Sequence, residues 1–298
     1  MTAISIPTLQ RADLPQAALG FPAHVGRLDL RFSPRAGRTE LVSRRETPPL
    51  RIAEPRYVDP ARPDLPVTSL LSTGGGVVQG DRYLVDLAFA PGACGLLTPR
   101  TATKLHSADS DYAAQVVRLS VGAQGCVEYL PAPLTPSVEC RFYQCTRVVA
   151  HETATLLLAE TVSAGRITEG RGGYAVFASD LEVRRPNGSL VATDAVRLKR
   201  DADGPGGRGL AVLGGRAVMS SLFVLAPGSS PHALASLADG VLRTGGLLYG
   251  TSVLPHEPGM WLRILGDDSQ ALAEALHAVW DAVRRMVLGV SALEPRSM

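Results

Sequence analysis

The chain has 298 residues, 45% of them hydrophobic, which is enough to bury a substantial core as one large domain or two of average size. Lys and Arg number 30 against 28 Asp and Glu, a net charge of +2, and the basic residues are scattered in pairs such as Arg44-Arg45, Arg184-Arg185 and Arg284-Arg285, so nucleic acid and anionic membranes are not indicated as partners. Four cysteines (Cys94, Cys126, Cys140, Cys145) without a Cys-x-x-Cys pair, no basic-then-apolar leader and no apolar run of about 18 residues argue against an exported disulfide scaffold or a membrane span, and point to a reducing, cytoplasmic compartment.

Residues 1–22 mix Pro7, Pro15 and Pro22 with polar residues and show no sustained period, which predicts an irregular arm ahead of a single domain over 23–298. From Val25 the pattern alternates. Leu28, Leu30 and Phe32 share one face and Arg27, Asp29 and Arg31 the other, as in a half-buried strand. Further strand-like runs cover 84–89, 115–121, 126–130, 141–149, 153–158, 174–183, 196–199 and 217–225. Breaks such as Pro91-Gly92, Gly122 to Gly125 and the 204–207 loop separate them. Asn187-Gly188 predicts a hairpin turn, because both residues accept the positive φ that tight turns need. This reads as a mainly β body. The runs leave little room for crossover helices, which disfavours a parallel α/β sheet.

Helical spacing is concentrated late. Ser230-Pro231 is a cap and first-turn pair, after which Leu234, Leu237, Ala238, Val241 and Leu242 keep a helical period as far as Gly245. Met260, Leu262 and Ile264 alternate as one more strand. A second helix starts near Ser269, puts Leu272, Leu276, Val279, Val283 and Val287 on one stripe and ends at Gly289.

Chemistry-bearing motifs are sparse. Gly74, Gly75, Gly76 and Gly80 fit neither a dinucleotide fingerprint nor a Walker A loop and precede a strand, so a tight turn or bulge is the simpler reading. Asp81 after that turn suits an Asx-type bond that fixes the loop. Lys104 is either a solvated strand end or a charge held against Asp81 or Glu128. His106 opens His106-Ser107-Ala108-Asp109-Ser110-Asp111, whose imidazole and carboxylates suit a borderline metal such as Ni(II) without forming a known ligand spacing. Cys140 and Cys145 fall on opposite faces of one strand and cannot both ligate one ion if it is regular. No nucleophile elbow, cysteine-nucleophile signature or ligand-spaced carboxylate cluster is present, so no catalytic residue is assigned.

The segment Leu71-Ser72-Thr73-Gly74-Gly75-Gly76-Val77-Val78-Gln79-Gly80-Asp81-Arg82, then Thr101-Ala102-Thr103-Lys104, then Glu128-Tyr129-Leu130-Pro131, resembles the urease accessory protein UreD (also called UreH) family. Gly37-Arg38-Thr39, Gly165-Arg166 and the terminal helix around Val279-Trp280 extend the likeness from about residue 25 onward. Departures mark a divergent member. Gln79 stands where glycine is usual, which would strain a left-handed backbone there. Gly170-Arg171 replaces Gly-Glu, with Glu169 as a substitute carboxylate, and residues 132–140 lack the family's acidic step.

The resemblance implies a layered or β-helix-like winding of strands with the two C-terminal helices at one end. It implies a non-enzymatic scaffold for urease maturation that binds apo-urease and, through a UreF-like protein, a UreG-like GTPase. Nickel would be cargo in transit rather than a tightly bound cofactor, with Asp81, Lys104, His106, Glu128 and Glu169 as candidates for the nickel path or a partner surface. Two other readings remain open: a β-rich binding module serving another metalloenzyme, and an enzyme acting on a small anion at the glycine turn.

Overall fold

The computed structural model describes residues 23–99, 101–163, 174–199 and 213–294. The expected arm at 1–22, and Gly165, Arg166, Glu169, Gly170 and Arg171, lie outside the described residues. In chain order the strands are β1 (Val25–Arg35), β2 (Arg38–Thr47), β3 (Leu50–Ile52), β4 (Val67–Ser72), β5 (Arg82–Phe89), β6 (Cys94–Pro99), β7 (Thr103–Leu105), β8 (Ala113–Val121), β9 (Cys126–Tyr129), β10 (Leu134–Pro136) and β11 (Cys140–Ala150). There follow β12 (Thr155–Ser163), β13 (Tyr174–Arg184), β14 (Leu190–Lys199), β15 (Val218–Leu225), helix α1 (Pro231–Leu242), β16 (Leu248–Val253), β17 (Gly259–Gly266) and helix α2 (Ser269–Leu288).

These strands wind as a solenoid. From β4 to β12 the chain alternates between two sheets, so β1, β5, β8, β11 and β13 run parallel in one, and β4, β6, β9 and β12 run parallel in the other. Each coil passes from one sheet to the other, which gives parallel pairing without crossover helices. Antiparallel strands close both ends: β2 and β14 flank the first sheet, while β3 at one end and β15, β17 and β16 at the other flank the second.

Alternation decides which face is buried. Leu30, Leu87, Leu119, Val148 and Val183 lie in register and point inward. One residue earlier on each strand, Asp29, Asp86, Arg118, Arg147 and Glu182 form a charged row on the outside, with Arg118 and Asp86 3.5 Å apart. Phe32 stacks on Phe89 at 4.6 Å between ring centroids. The expected hairpin forms between β13 and β14, with Gly188 at φ 86° and Asn187 Oδ1 accepting from the Ser189 N–H.

Several boundaries differ from the sequence reading. β12 begins at Thr155 and extends to Ser163, and β14 begins at Leu190 instead of Val196, because partner strands continue the ladder past the apolar runs. The sequence pattern marks neither the ten-residue, charge-rich β2 nor the short strands β3, β4, β6, β7, β10 and β16. α1 stops at Leu242, short of Gly245.

Both helices cover the outer face of the second sheet. Val218, Leu222, Val224, Met260, Leu262 and Ile264 from β15 and β17 pack under Leu234, Ala238 and Leu242 of α1 and Leu272, Val279, Trp280 and Val283 of α2. Ser230 caps α1 by accepting from the Ala233 N–H, and Asp268 caps α2 through Gln270 and Ala271; such caps contribute about 1 kcal/mol each.

Candidate functional site

The two kinds of corner on the solenoid differ. On the side leading from the first sheet to the second, tight turns stack at Gly92, Ala123-Gln124 and Thr153, where the Gly92 N–H donates to the Ala123 carbonyl at 2.8 Å. The returning side carries longer segments, and it is here that the glycine run, Thr101 to Lys104 and Pro131 lie on successive coils. Val77 donates to the Lys104 carbonyl, His106 donates back to the Val77 carbonyl, and β7 pairs with β10 in parallel, so the segments form a short third side.

The glycine run is a turn that leads into β5, with positive φ at Gly75, Gly76 and Gly80 and not at Gly74. A Cβ on Gly76 would lie 2.6 Å from His106 Nε2 and 2.8 Å from the Lys104 carbonyl, so only glycine fits without displacement. The strain expected at Gln79 is absent, because the left-handed positions fall on the glycines around it. Instead the Gln79 side-chain oxygen accepts from the Asp109 and Ser110 N–H groups and ties this turn to the next coil.

Asp81 is fully buried and saturated. Its carboxylate accepts from the His24 N–H at 2.8 Å, the Val78 N–H at 3.0 Å and the Tyr83 hydroxyl at 2.7 Å, and the His24 ring lies 3.1 Å away. Burial, then the Asp81 carboxylate, push the Tyr83 hydroxyl pKa well above its ordinary 10.0.

Lys104 forms no ion pair with Asp81 or with Glu128: it is exposed at the corner, while both carboxylates are taken by other donors. His106 is exposed, its Nε2 3.3 Å from the Gly75 carbonyl, and Asp111 is held by Arg82 instead of facing it. Glu128, fully buried on β9, accepts from Trp280 Nε1 at 2.6 Å and Arg284 Nε at 3.0 Å; Arg284 also reaches Asp59 at 2.8 Å and the Ser291 carbonyl. Glu128 therefore meets α2 on the outer side of the second sheet, away from Asp81 on the glycine corner. Glu169 lies outside the described residues. Among the described residues no three His, Cys, Asp or Glu side chains converge on a point that could hold a metal ion. Cys140 packs in the inner core and Cys145 on the outer face beside Tyr143, as expected of opposite faces.

A cavity of about 380 Å³ runs between the two sheets. Gly75, Gly76 and Lys104 line it at the glycine corner, and Asp194 and Ser221 line it at the last coil. Its walls mix aliphatic residues with the aromatic rings of Tyr129 and Phe177 and with polar residues of the corner, and a polar row interrupts the apolar interior at the same level on strand after strand. In the first sheet, Tyr83, Gln115, Gln144 and Ser179 are in register. Across from them in the second, Glu160, Ser221 and Arg263 are in register.

Glu160 is the centre of this row. One carboxylate oxygen accepts from Gln144 Nε2 at 2.8 Å and Thr146 Oγ1 at 2.9 Å, and the other accepts from Ser179 Oγ at 3.2 Å. All three donors belong to the opposite sheet and all are neutral. Burial raises the carboxyl pKa above its ordinary 4.5, the hydrogen bonds from Thr146, Gln144 and Ser179 oppose that rise, and nearby Asp194 adds to it. Glu160 is thus half-buried, lines the cavity and, among the described residues, is hydrogen-bonded by neutral donors and paired with no cation. Asp194 is paired with Arg263 at 2.5 Å, and Arg263 Nε donates to Ser221 Oγ at 3.2 Å.

None of Glu160, Gln144, Ser179, Asp194 or Arg263 was singled out from sequence. The available signal was a polar residue in the inward phase of an otherwise apolar strand, as in Leu158-Ala159-Glu160-Thr161-Val162. Chemically, an isolated carboxylate among neutral oxygen and amide groups can hold a hard or borderline cation weakly and release it.

Comparison with known proteins agrees with the motif likeness. The sequence profile of the family described as UreD urease accessory protein matches residues 24–298. The chain is similar to Urease accessory protein UreD 2 of Streptomyces griseus subsp. griseus, with 43% identity over 94% of this chain and 96% of the relative. It is also similar to Urease accessory protein UreD 2 of Brucella suis biovar 1, at 32% identity over 94% of this chain and 93% of the relative, and to Urease accessory protein UreD 3 of Methylorubrum populi, at 33% over 94% and 91%.

Proposed function

The chain belongs to the UreD urease accessory protein family, and from that premise we propose that it assists urease maturation as a conduit, passing nickel through the cavity between its two sheets to bound apo-urease. The observation that carries this reading is Glu160, a half-buried carboxylate that lines the cavity and has only neutral donors among the described residues.

Divalent-metal affinity follows the Irving–Williams order at most sites, so correct loading of urease depends on controlled delivery more than on the affinity of the final site. A sealed path supplies that control. Its walls hold the ion away from bulk chelators, and one carboxylate offsets part of the dehydration cost without forming a tight site. In this reading the chain binds apo-urease and a UreF-like protein. A UreG-like GTPase joins through the UreF-like protein and supplies the nickel, while this chain hydrolyses neither GTP nor urea.

The test is co-expression of the tagged chain with apo-urease and the UreF-like and UreG-like proteins. The expected result is recovery of urease, and of the GTPase only when the UreF-like protein is present. Nickel-dependent urease activation should fall on the order of tenfold with Glu160→Gln while the complex is still recovered. Failure of well-folded chain to recover urease, or full activation with Glu160→Gln, would reject the scaffold role or the path respectively.

A further inference from the structure

At the last-coil end of the cavity, two of the lining side chains, Asp194 and Ser221, are held by the guanidinium of Arg263. Arg263 enters on β17 in register with Ser221 and Glu160. Its guanidinium binds Asp194 on β14 and Ser221 on β15, both of which line the cavity, and so bridges the two sheets. Neither member of the ion pair is sealed off, since Arg263 is 24% exposed and Asp194 19%. The ring of Trp261, two residues earlier on the same face of the strand, lies 4.8 Å from the guanidinium carbon.

We propose that Arg263 is a tethered counter-cation that plugs this end of the cavity, and that a hydrated divalent cation arriving beside Glu160 opens the plug by taking the Asp194 carboxylate. The proposal rests on the transfer-path reading above.

The charge balance gives the plug its two states. With Glu160 ionised, the row of Glu160, Asp194 and Arg263 carries one net negative charge, and this favours entry of a cation. A divalent ion brings the row to one net positive charge in a setting where water screens poorly, so the ion and the guanidinium repel each other. Departure of the guanidinium toward solvent restores neutrality, and its existing contact with the Trp261 ring does not depend on Asp194. Asp194 is then shared between two competing cations. Each weakens the other's hold by the same factor, as linkage requires.

A structural bolt and a plug predict opposite effects on metal binding. If Arg263 only braces the last coil, its removal loosens the protein and leaves nickel affinity unchanged or weaker. If it competes with the ion, removal tightens binding. Nickel titrations of the full chain by calorimetry should show weak binding in wild type and about tenfold tighter binding in Arg263→Met. Arg263→Lys, which keeps the charge and loses the two-pronged geometry, should fall between them. The gain in Arg263→Met should vanish in the double variant with Asp194→Asn.

Thermal unfolding monitors the fold of each variant, and if Arg263→Met does not fold, Arg263→Lys against wild type decides the question. Nickel affinity that is unchanged or weaker in the folded Arg263 variants overturns the plug, whatever urease activation shows. Full activation with Glu160→Gln, together with tighter nickel binding in Arg263→Met, removes the path and leaves the competition at Asp194 intact.

Discussion

The Glu160 carboxylate on one sheet and the Gln144 amide on the other meet at 2.8 Å between the two sheets, in a polar row set within an apolar core of aliphatic and aromatic side chains. A carboxyl drawn out of bulk water and met by neutral donors is held as the neutral acid more readily than in water. Its effect on stability therefore has a definite sign.

Because burial raises the Glu160 pKa above 4.5, the folded chain keeps that proton over a pH range in which the unfolded chain has lost it. The contribution is complete below pH 4.5 and is lost as pH rises through the raised value. Denaturant unfolding of wild type and Glu160→Gln from about pH 4.5 to about pH 8 should show wild type losing stability relative to the variant as pH rises. A flat difference would mean that the carboxyl is not destabilised by burial. Glu160→Leu should be worse than Glu160→Gln at every pH. It leaves Gln144, Thr146 and Ser179 without their acceptor, at a cost of about 1–3 kcal/mol.

Arg284 makes a second prediction. It is fully buried on α2 and satisfies Glu128 and Asp59 together, while Trp280 donates to Glu128 as well. Arg284→Met leaves two buried carboxylates without their cation, and removing one partner of such a network costs about 3–5 kcal/mol. Urea unfolding should show that loss. Adding Glu128→Gln to Arg284→Met should recover part of it, since one stranded charge is removed. If the two single-variant losses simply add, the contacts are independent and the network view is wrong.

A third prediction concerns Gly76. With φ at 140° and no room for a Cβ beside His106 and the Lys104 carbonyl, Gly76→Ala carries both backbone strain and a clash. The expected loss is about 1–3 kcal/mol in urea unfolding. Truncating His106 to alanine in that background should return only part, because the contact with the Lys104 backbone and the positive φ remain. Complete recovery would assign the whole effect to the histidine ring.

How much of this was legible in the sequence depends on whether a feature is local. The α2 stripe from Leu272 to Val287 and the Gly289 stop can be read within one helix, and the inward phase of Leu28, Leu30 and Phe32 within one strand. The hairpin at Asn187-Gly188 is equally local. By contrast β2, rich in charge and paired on one side, lacks a buried face long enough to give a period, as its burial pattern shows. The Glu128–Arg284 pair joins positions 156 residues apart, and no local pattern links them. The polar row is intermediate. Gln115, Gln144, Ser179, Glu160 and Ser221 each occupy an inward position that its neighbours mark as apolar, so each is individually odd. That they share one level follows only from coil-to-coil register, and it is the register that turns isolated oddities into a lining.

Asp81 provides the last test, because its surroundings favour a structural role over contact with the cargo. Its carboxylate is consumed by three donors that fasten residue 24, the glycine turn and Tyr83 together, and it does not line the cavity, whereas Tyr83 does. Asn at this position keeps one acceptor oxygen and presents an amide to donors, so Asp81→Asn should cost about 1–3 kcal/mol. Tyr83→Phe removes one of the three bonds and should cost less. At a temperature low enough for Asp81→Asn to remain folded by circular dichroism, nickel-dependent urease activation should stay near the wild-type level, in contrast to Glu160→Gln. A loss of activation in folded Asp81→Asn as large as that of Glu160→Gln would place Asp81 on the path after all, and would mean that the glycine corner opens during transfer.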